Sequence, residues 1–508
     1  MLRRNLMLGS AAATLIALKG RDAIAERIVA ADGNPFAPED VVKAAEELAK
    51  KPFSRGNAEL PRTLRDISYD QYRMIRFDGE KALWRHDSNG YRLQPAHRGF
   101  LFRDRVALHE VTDGVARPLT FSRDQFTYDE APVPPEGEDI GFAGARLLAP
   151  LNRPGHYDEV LSFLGASYFR ALGQGHIYGI SARGLAIGTA DPKGEEFPAF
   201  RAFWFERPDR GASGVVVHAL LDSESLAGAY RFTVRPGETT TMDVDAHIYP
   251  RRDIPLVGIA PLTSMYLHGP NDRGRIDDYR PAVHDSDGLL MLKSSGERIW
   301  RPLTNPRTLQ ISVFADEAPA GFGLMQRRRD YGDFHDLEAL YHRRPSLWVE
   351  PLGRWGAGAV HLVEIPTDGE IHDNIAAYWR PHEVPKFGKE FRLQYRLHWC
   401  SRAPNERALA AFDSTRVGVG SASGMRRFVL DAIGPSLADL PSDAGLKLEA
   451  WASAGRLHHG AVQRNPETGG LRIAFELRPD GARLVELGAR VLSGETPLTE
   501  TWLYRWIA

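Results

Sequence analysis

The chain has 508 residues, with 64 Lys+Arg against 66 Asp+Glu and 43% hydrophobic residues. That composition belongs to a globular chain long enough for two or more domains, and the near-zero net charge lacks the basic excess of a nucleic-acid binder. Cys400 is the only cysteine, which excludes an internal disulfide and leaves no cysteine cluster for a metal.

The first stretch, "MLRRNLMLGSAAATLIAL", places Arg3 and Arg4 before an apolar run too short to cross a bilayer comfortably. "AIA" at residues 23–25 fits a small-x-small cleavage site. Together they predict a signal segment over 1–25, of the twin-arginine type, with a mature chain starting near Glu26. "APEDVVKAAEELAKKPF" predicts a helix, with Pro38 in the first turn, acids early, and Val41, Val42, Ala45, Leu48 and Ala49 on one face. "YDEVLSFLGASYFRALG" from Tyr157 predicts a second, shorter helix. Most of the remainder alternates with period two. "AYRFTVRPGETTTMDVDAHIY" reads as a hairpin about Pro236-Gly237, "FRLQYRLHW" as a strand, and "LRIAFELRPDGARLVELGARVL" as a hairpin turning at Pro479-Asp480-Gly481. The fold class is therefore all-β, built as sandwiches. "RPHEVPKFGK" (380–389) suggests a boundary, giving an N-terminal β unit over 26–385 and a C-terminal unit over 386–508. The second has the size of an immunoglobulin-like sandwich.

Two acidic stretches carry the candidate chemistry. "YRPAVHDSDGLLM" (279–291) holds Asp285 and Asp287. In an extended chain both would project from one face, and His284 and Ser286 from the other. "EIPTDGEIHDNIAAYW" (364–379) holds Glu364, Asp368, Glu370 and Asp373. Between them lie "WRPLTNP", "GFGLMQRRRDY" and "RRPSLWVEPLGRWG", and Trp300, Trp348, Trp355 and Trp379 fall within this span. Carboxylates, arginines and flat rings are what a carbohydrate cleft uses, and cleaving a glycosidic bond needs one carboxylic acid and one carboxylate. No His-Glu-x-x-His, Walker A or dinucleotide fingerprint is present, so no metal or other cofactor is expected. The residues alone do not choose between Asp285 and Asp287.

The stretches "FLGASYFRALG", "YGISARGLAI", "GEEFPAF", "ALLDSESLAGAYRF", "APLTSMYLHG", "DDYRPAVHDSDGL", "WRPLTNP", "GFGLMQRRRDY", "RRPSLWVEP" and "DNIAAYW" run through nearly the whole chain. In them the sequence resembles the OpgG/OpgD (MdoG/MdoD) family of osmoregulated periplasmic glucan biosynthesis, and its paired arginines look more like the OpgD branch. The resemblance implies a galactose-mutarotase-like β-sandwich followed by an immunoglobulin-like one, a periplasmic location, and action on the β-1,2-glucan backbone. It implies an inverting endo-β-1,2-glucanase or transglycosylase, or else a non-catalytic glucan-binding factor working with the membrane glucan glucosyltransferase. It carries the general acid to Asp373 and the general base, acting through waters, to Asp285. Glu370 and Tyr341 would line the cleft near the scissile bond, and Asp287, across the serine, would position Asp285 or bond sugar hydroxyls. Of the rings noted above, Trp300, Trp355 or Trp379 would stack on glucan. The segment "RVGVGSASGMRR" (416–427) matches a variable loop that reaches a cleft, and the resemblance leaves room for a homodimer.

If the twin-arginine route is used, replacing Arg3 and Arg4 with lysines should hold the precursor in the cytoplasm, as read by cell fractionation. Undiminished export would point to general secretion.

Overall fold

The computed structural model describes residues 34–508 other than 56–58, 275, 405–408, 438–439 and 442–443. The signal segment expected over 1–25 lies outside the described residues.

Alternation builds the core. In Thr240–Pro250 every second residue is buried, so Met242, Val244, Ala246 and Ile248 face inward while Asp243, Asp245 and His247 face out. Each fully buried aliphatic side chain of this kind contributes about 1.5–3 kcal/mol. The strand forms the expected hairpin with Leu226–Arg235, with Val234 opposite Met242. It lies at the middle of a 16-stranded sheet. A 10-stranded sheet packs against it, running from Gln310–Asp316 at one edge through Gly358–Glu364, Ile375–Pro381, Val257–Ser264, Ser181–Arg183, Tyr168–Ala171, Asp158–Leu164 and Phe142–Ala149 to Arg92–His97. Phe163, Phe169, Phe200, Phe232 and Trp399 fill the space between the two. The helix Pro38–Ala49 lies on the far face of the large sheet, where Val41, Ala44 and Ala45 meet Trp204, Leu220 and Ala229.

A second sandwich is built from the chain's last hundred residues. The sheet of Ala411–Val419, Arg426–Ile433, Gly470–Arg478 and Arg456–Asn465 covers the end of the large sheet, which continues through Thr501–Ile507, Leu484–Ser493 and Leu446–Ala452. The continuity comes from a parallel pairing of Trp300 with Trp502. The two sandwiches therefore share one sheet.

Three sequence expectations change. The segment after Tyr157 is not a helix but two paired strands, Asp158–Leu164 and Tyr168–Ala171. Gly165 and Ala166 between them have φ of 84° and 43°, which turns the chain back. Gly470–Arg478 and Leu484–Ser493 are strands but not a hairpin, because each pairs within a different sheet. The turn at Asp480-Gly481 carries the chain across the sandwich. The polar stretch at 380–389 is a connection between strands of the first sandwich. Phe391–Cys400, which a boundary at 385 would assign to the second unit, pairs with Thr240–Pro250 and Ser346–Pro351.

The tryptophans have a common geometry. A Cβ added to Gly288 would lie 2.1 Å from the Trp300 ring, one on Gly321 2.2 Å from Trp348, one on Gly358 2.5 Å from Trp379, and one on Gly488 2.1 Å from Trp451. Each indole lies across a strand neighbour that has no side chain, which covers an otherwise bare backbone. Gly321→Ala should therefore overpack the sheet and cost about 1–3 kcal/mol. Urea denaturation should show a lower midpoint with an unchanged slope.

Candidate active site

The segment carrying Asp373 is held from below. Glu364 is fully buried, and its carboxylate accepts from Arg301 Nη2 at 3.1 Å, Thr304 N at 2.7 Å and Thr304 Oγ1 at 2.9 Å. Asn305 donates to the carbonyls of Leu267 and Thr367. Asn374, 2% exposed, accepts from Tyr266 N at 2.8 Å and donates to the carbonyls of Tyr266 and Ile365. The residues of "WRPLTNP" and the asparagine after Asp373 thus brace both ends of the 365–374 loop. Asp373 projects from it with its side chain 39% exposed and Arg170 Nη2 3.7 Å from its Oδ2.

Asp285 is the buried counterpart. It is 3% exposed, its backbone N–H donates to Met265 at 2.8 Å, and its carboxylate is ion-paired with Arg344. Burial pushes its pKa up; Arg344 and, more weakly, Arg170 pull it back, while the charge on Asp373 pushes it further up. The two aspartates therefore share one field, with Arg170 acting on both. Arg344 also lies 4.4 Å over the ring of Tyr341. The Tyr341 hydroxyl donates to Glu370 at 2.7 Å, and Arg280 donates to Glu370 at 2.9 Å and to Asp336 at 2.7 Å. Burial, and then the bond to Glu370, raise the Tyr341 pKa. Arg280 holds Asp278 down at about 2. Gln326 is fully buried and donates to the carbonyls of His284 and Tyr341, tying the Asp285 segment to the Tyr341 turn.

The neighbours of Asp285 are structural. His284 stacks on Tyr266 at 5.3 Å, and burial lowers its pKa to about 3, so it stays neutral. Ser286 bonds Ser264 at 2.7 Å. Burial raises the pKa of Asp287 as it does that of Asp285, but the charged groups acting on the two differ. Asp287 accepts from Arg327 N at 3.1 Å, and the groups that pull on its carboxyl are Arg328 and Arg327. Arg327 reaches Phe412 O at 2.7 Å and the buried Glu500 at 2.5 Å, so this aspartate faces the junction with the second sandwich.

A groove of about 1320 Å³ runs between the sandwiches. Asp373, His372, Asn305, Arg307 and Asp368 line it from the first sandwich, and Arg426 and Trp506 from the second. Val417 and Arg426 bring the 416–427 segment, the hairpin of Ala411–Val419 and Arg426–Ile433, to this groove.

The structure brings together Asp373, Asp285, Glu370 and Tyr341, and sets the tryptophans apart. Trp300 and Trp379 are buried at 3% and 0% and offer no face to a sugar. Trp300 is covered by Arg327 at 3.6 Å. Trp355 is half-buried against Trp379 and Tyr395, its Nε1 donating to Gln394 O at 3.1 Å. The tryptophan that lines the groove is Trp506, beside Tyr504. Arg170, Arg344 and Arg280 were also missed, because an arginine in a strand or turn carries no local sign of the carboxylate it will meet.

Glu364→Ala should leave Arg301 buried without its partner, at a cost of about 3–5 kcal/mol. It should therefore lower the denaturation midpoint although Glu364 lines no cleft.

Relatives cover the whole chain. A family model described as "Periplasmic glucan biosynthesis protein, MdoG" matches residues 36–506. Glucans biosynthesis protein G of Rhodopseudomonas palustris is 48% identical over 505 residues, covering 99% of each chain. The protein of that name from Bradyrhizobium diazoefficiens is 48% identical over 505 residues and likewise covers 99% of each. That from Vibrio cholerae is 48% identical over 479 residues, covering 93% of this chain and 87% of the relative. These relatives carry the G name, which corrects the leaning toward the OpgD branch drawn from the paired arginines. Among solved structures, a galactose mutarotase related enzyme from Lactobacillus acidophilus matches at 9% identity with a TM-score of 0.21, over 47% of this chain and 97% of that one. With its described strands and its site residues spanned by the family model, the chain belongs to the MdoG family of periplasmic glucan biosynthesis proteins.

Proposed function

We propose that this protein cleaves or transfers the β-1,2-glucan backbone with inversion, using Asp373 as general acid and Asp285 as general base. One observation carries the reading: an exposed carboxylate and a buried, arginine-held carboxylate share one field, with Arg170 acting on both. Glycosidic cleavage needs such a pair of carboxyls; which one takes which role is carried over from the family resemblance, since burial by itself raises the pKa of Asp285. Asp373, on the rim of the groove, would give its proton to the leaving sugar oxygen. Asp285 would draw a proton from the attacking water through a relay, which its burial favours over direct contact. Glu370 and Tyr341, locked to each other and to Arg280, would bond sugar hydroxyls or the relayed water. In an inverting pair the carboxyls stand ~6.5–9.5 Å apart, or farther where waters relay the proton.

A second reading is a glucan-binding biosynthesis factor working with the membrane glucosyltransferase. The closure of Asp285 by Arg344 favours it, as does the word biosynthesis in the relatives' names. Incubating the purified protein with linear β-1,2-glucan separates the two. New chain lengths on chromatography, with the anomer of the fresh end opposite to that of the cleaved bond, support the enzyme. Firm binding without turnover supports the factor.

Asp373→Asn and Asp285→Asn should each lower turnover by about 10²–10⁴-fold while keeping fold and glucan affinity. Rates within about threefold of an active wild type would remove that residue from the mechanism.

The pH dependence follows from Arg344. Asp285 must be ionised to act, and Arg344 is the strongest influence lowering its pKa. Without that cation, burial alone raises the carboxyl, so Arg344→Met should move the acidic limb of the kcat/KM profile to higher pH. An unmoved limb would show that this limb does not report Asp285.

A further inference from the structure

A second pocket, of about 710 Å³, opens beside the 10-stranded sheet, and its lining has no part in the chemistry above. Two phenylalanines line it, each backed by an arginine. Arg201 lies 5.6 Å from the Phe53 ring and Arg183 5.7 Å from the Phe197 ring. A single exposed phenylalanine is ordinary; two rings on cationic supports in one concavity are a built surface. Phe197 is 53% exposed, yet its support is rigid. Arg183 is buried, donates to Thr263 at 2.9 Å and Glu195 at 2.6 Å, and lies 4.6 Å over Tyr168.

These contacts lead back to the cleft. Arg183 is the direct cross-strand neighbour of Tyr168, and Arg170 stands two residues along on the same face of the strand. Arg170 in turn meets Asp373 at 3.7 Å. Successive neighbours therefore run from Asp373 through Arg170, Tyr168 and Arg183 to Phe197. Asp191, Lys193, Glu224 and Arg252 supply polar groups around the two rings. Flat rings beside such groups suit a neutral hexose, whose C–H face needs an apolar platform and whose rim needs hydrogen-bond partners.

We propose that the pocket between Phe53 and Phe197 is a distal binding site for glucose residues of the same glucan chain that crosses Asp373. The inference rests on the glucan reading above. It makes the protein selective for long chains, since only a chain reaching both places gains from both by effective concentration.

The test is calorimetric binding of a long linear β-1,2-glucan and of a short β-1,2-linked oligosaccharide to wild type, Phe197→Ala and Phe197→Tyr. Wild type should prefer the long chain. Phe197→Ala should bind the long chain about tenfold more weakly, and Phe197→Tyr, which keeps the ring, should retain the wild-type affinity. Wild-type affinity for the long chain in Phe197→Ala overturns the proposal, and so does an equal loss in Phe197→Tyr. Absence of cleavage by a wild type that binds as described leaves this site standing and instead removes the enzymatic reading.

Discussion

The buried carboxylate of Glu364 is the constraint on which the site depends. A charge without solvent around it must be fully met by donors, and Arg301 and Thr304 meet it from a different strand and the loop that follows. Those contacts fix where Gly358–Glu364 ends, and so where the 365–374 loop begins. Asn374 fixes where it ends by occupying the backbone groups of Tyr266 and Ile365. A loop pinned at both ends presents Asp373 in one place while leaving its carboxylate open to the groove.

The same economy of buried charge joins the two sandwiches. Glu500, 1% exposed, accepts from Arg298 at 2.9 Å and from Arg327, and its Oε1 also takes the backbone N–H of Phe412 at 2.8 Å. Arg327 is covered on one side by Trp300, and its backbone N–H donates to Asp287. The second aspartate of "HDSDG" therefore belongs to the junction, and the first to the cleft. A two-residue separation along the chain becomes a separation of function because Asp285 meets Arg344 while Asp287 meets the arginines that follow Met325.

Much of the architecture was legible from the sequence. Alternation in Leu226–Arg235, Thr240–Pro250 and Phe391–Cys400 identified strands, and Pro236-Gly237 identified the turn between the first two, because a half-buried sheet imposes period two on its residues. The acidic stretches that hold Asp285, Glu370 and Asp373 were also visible, because a local cluster of carboxylates is read directly from the chain. The tryptophans misled for a physical reason. A ring that stacks on a sugar and a ring that covers a cross-strand glycine are the same residue in sequence, and Gly288, Gly321 and Gly358 lie up to twenty-seven residues from the indoles they accommodate. The helix expected after Tyr157 failed similarly. Its apolar residues fit either period, and the left-handed turn at Gly165-Ala166 decides for a hairpin.

By itself the sequence determined an all-β chain, its family, and which short segments carry carboxylates, because these depend on local periodicity and on runs of residues read in order. The tertiary structure decided which strands share a sheet, since the turn at Asp480-Gly481 looks the same whether it closes a hairpin or crosses a sandwich. It also decided which charges meet. Arg170, Arg344 and Glu364 acquire their partners from segments 59 to 203 residues away, and only the closed fold sets the distances and the burial that make one aspartate a bound, shielded group and the other an exposed one.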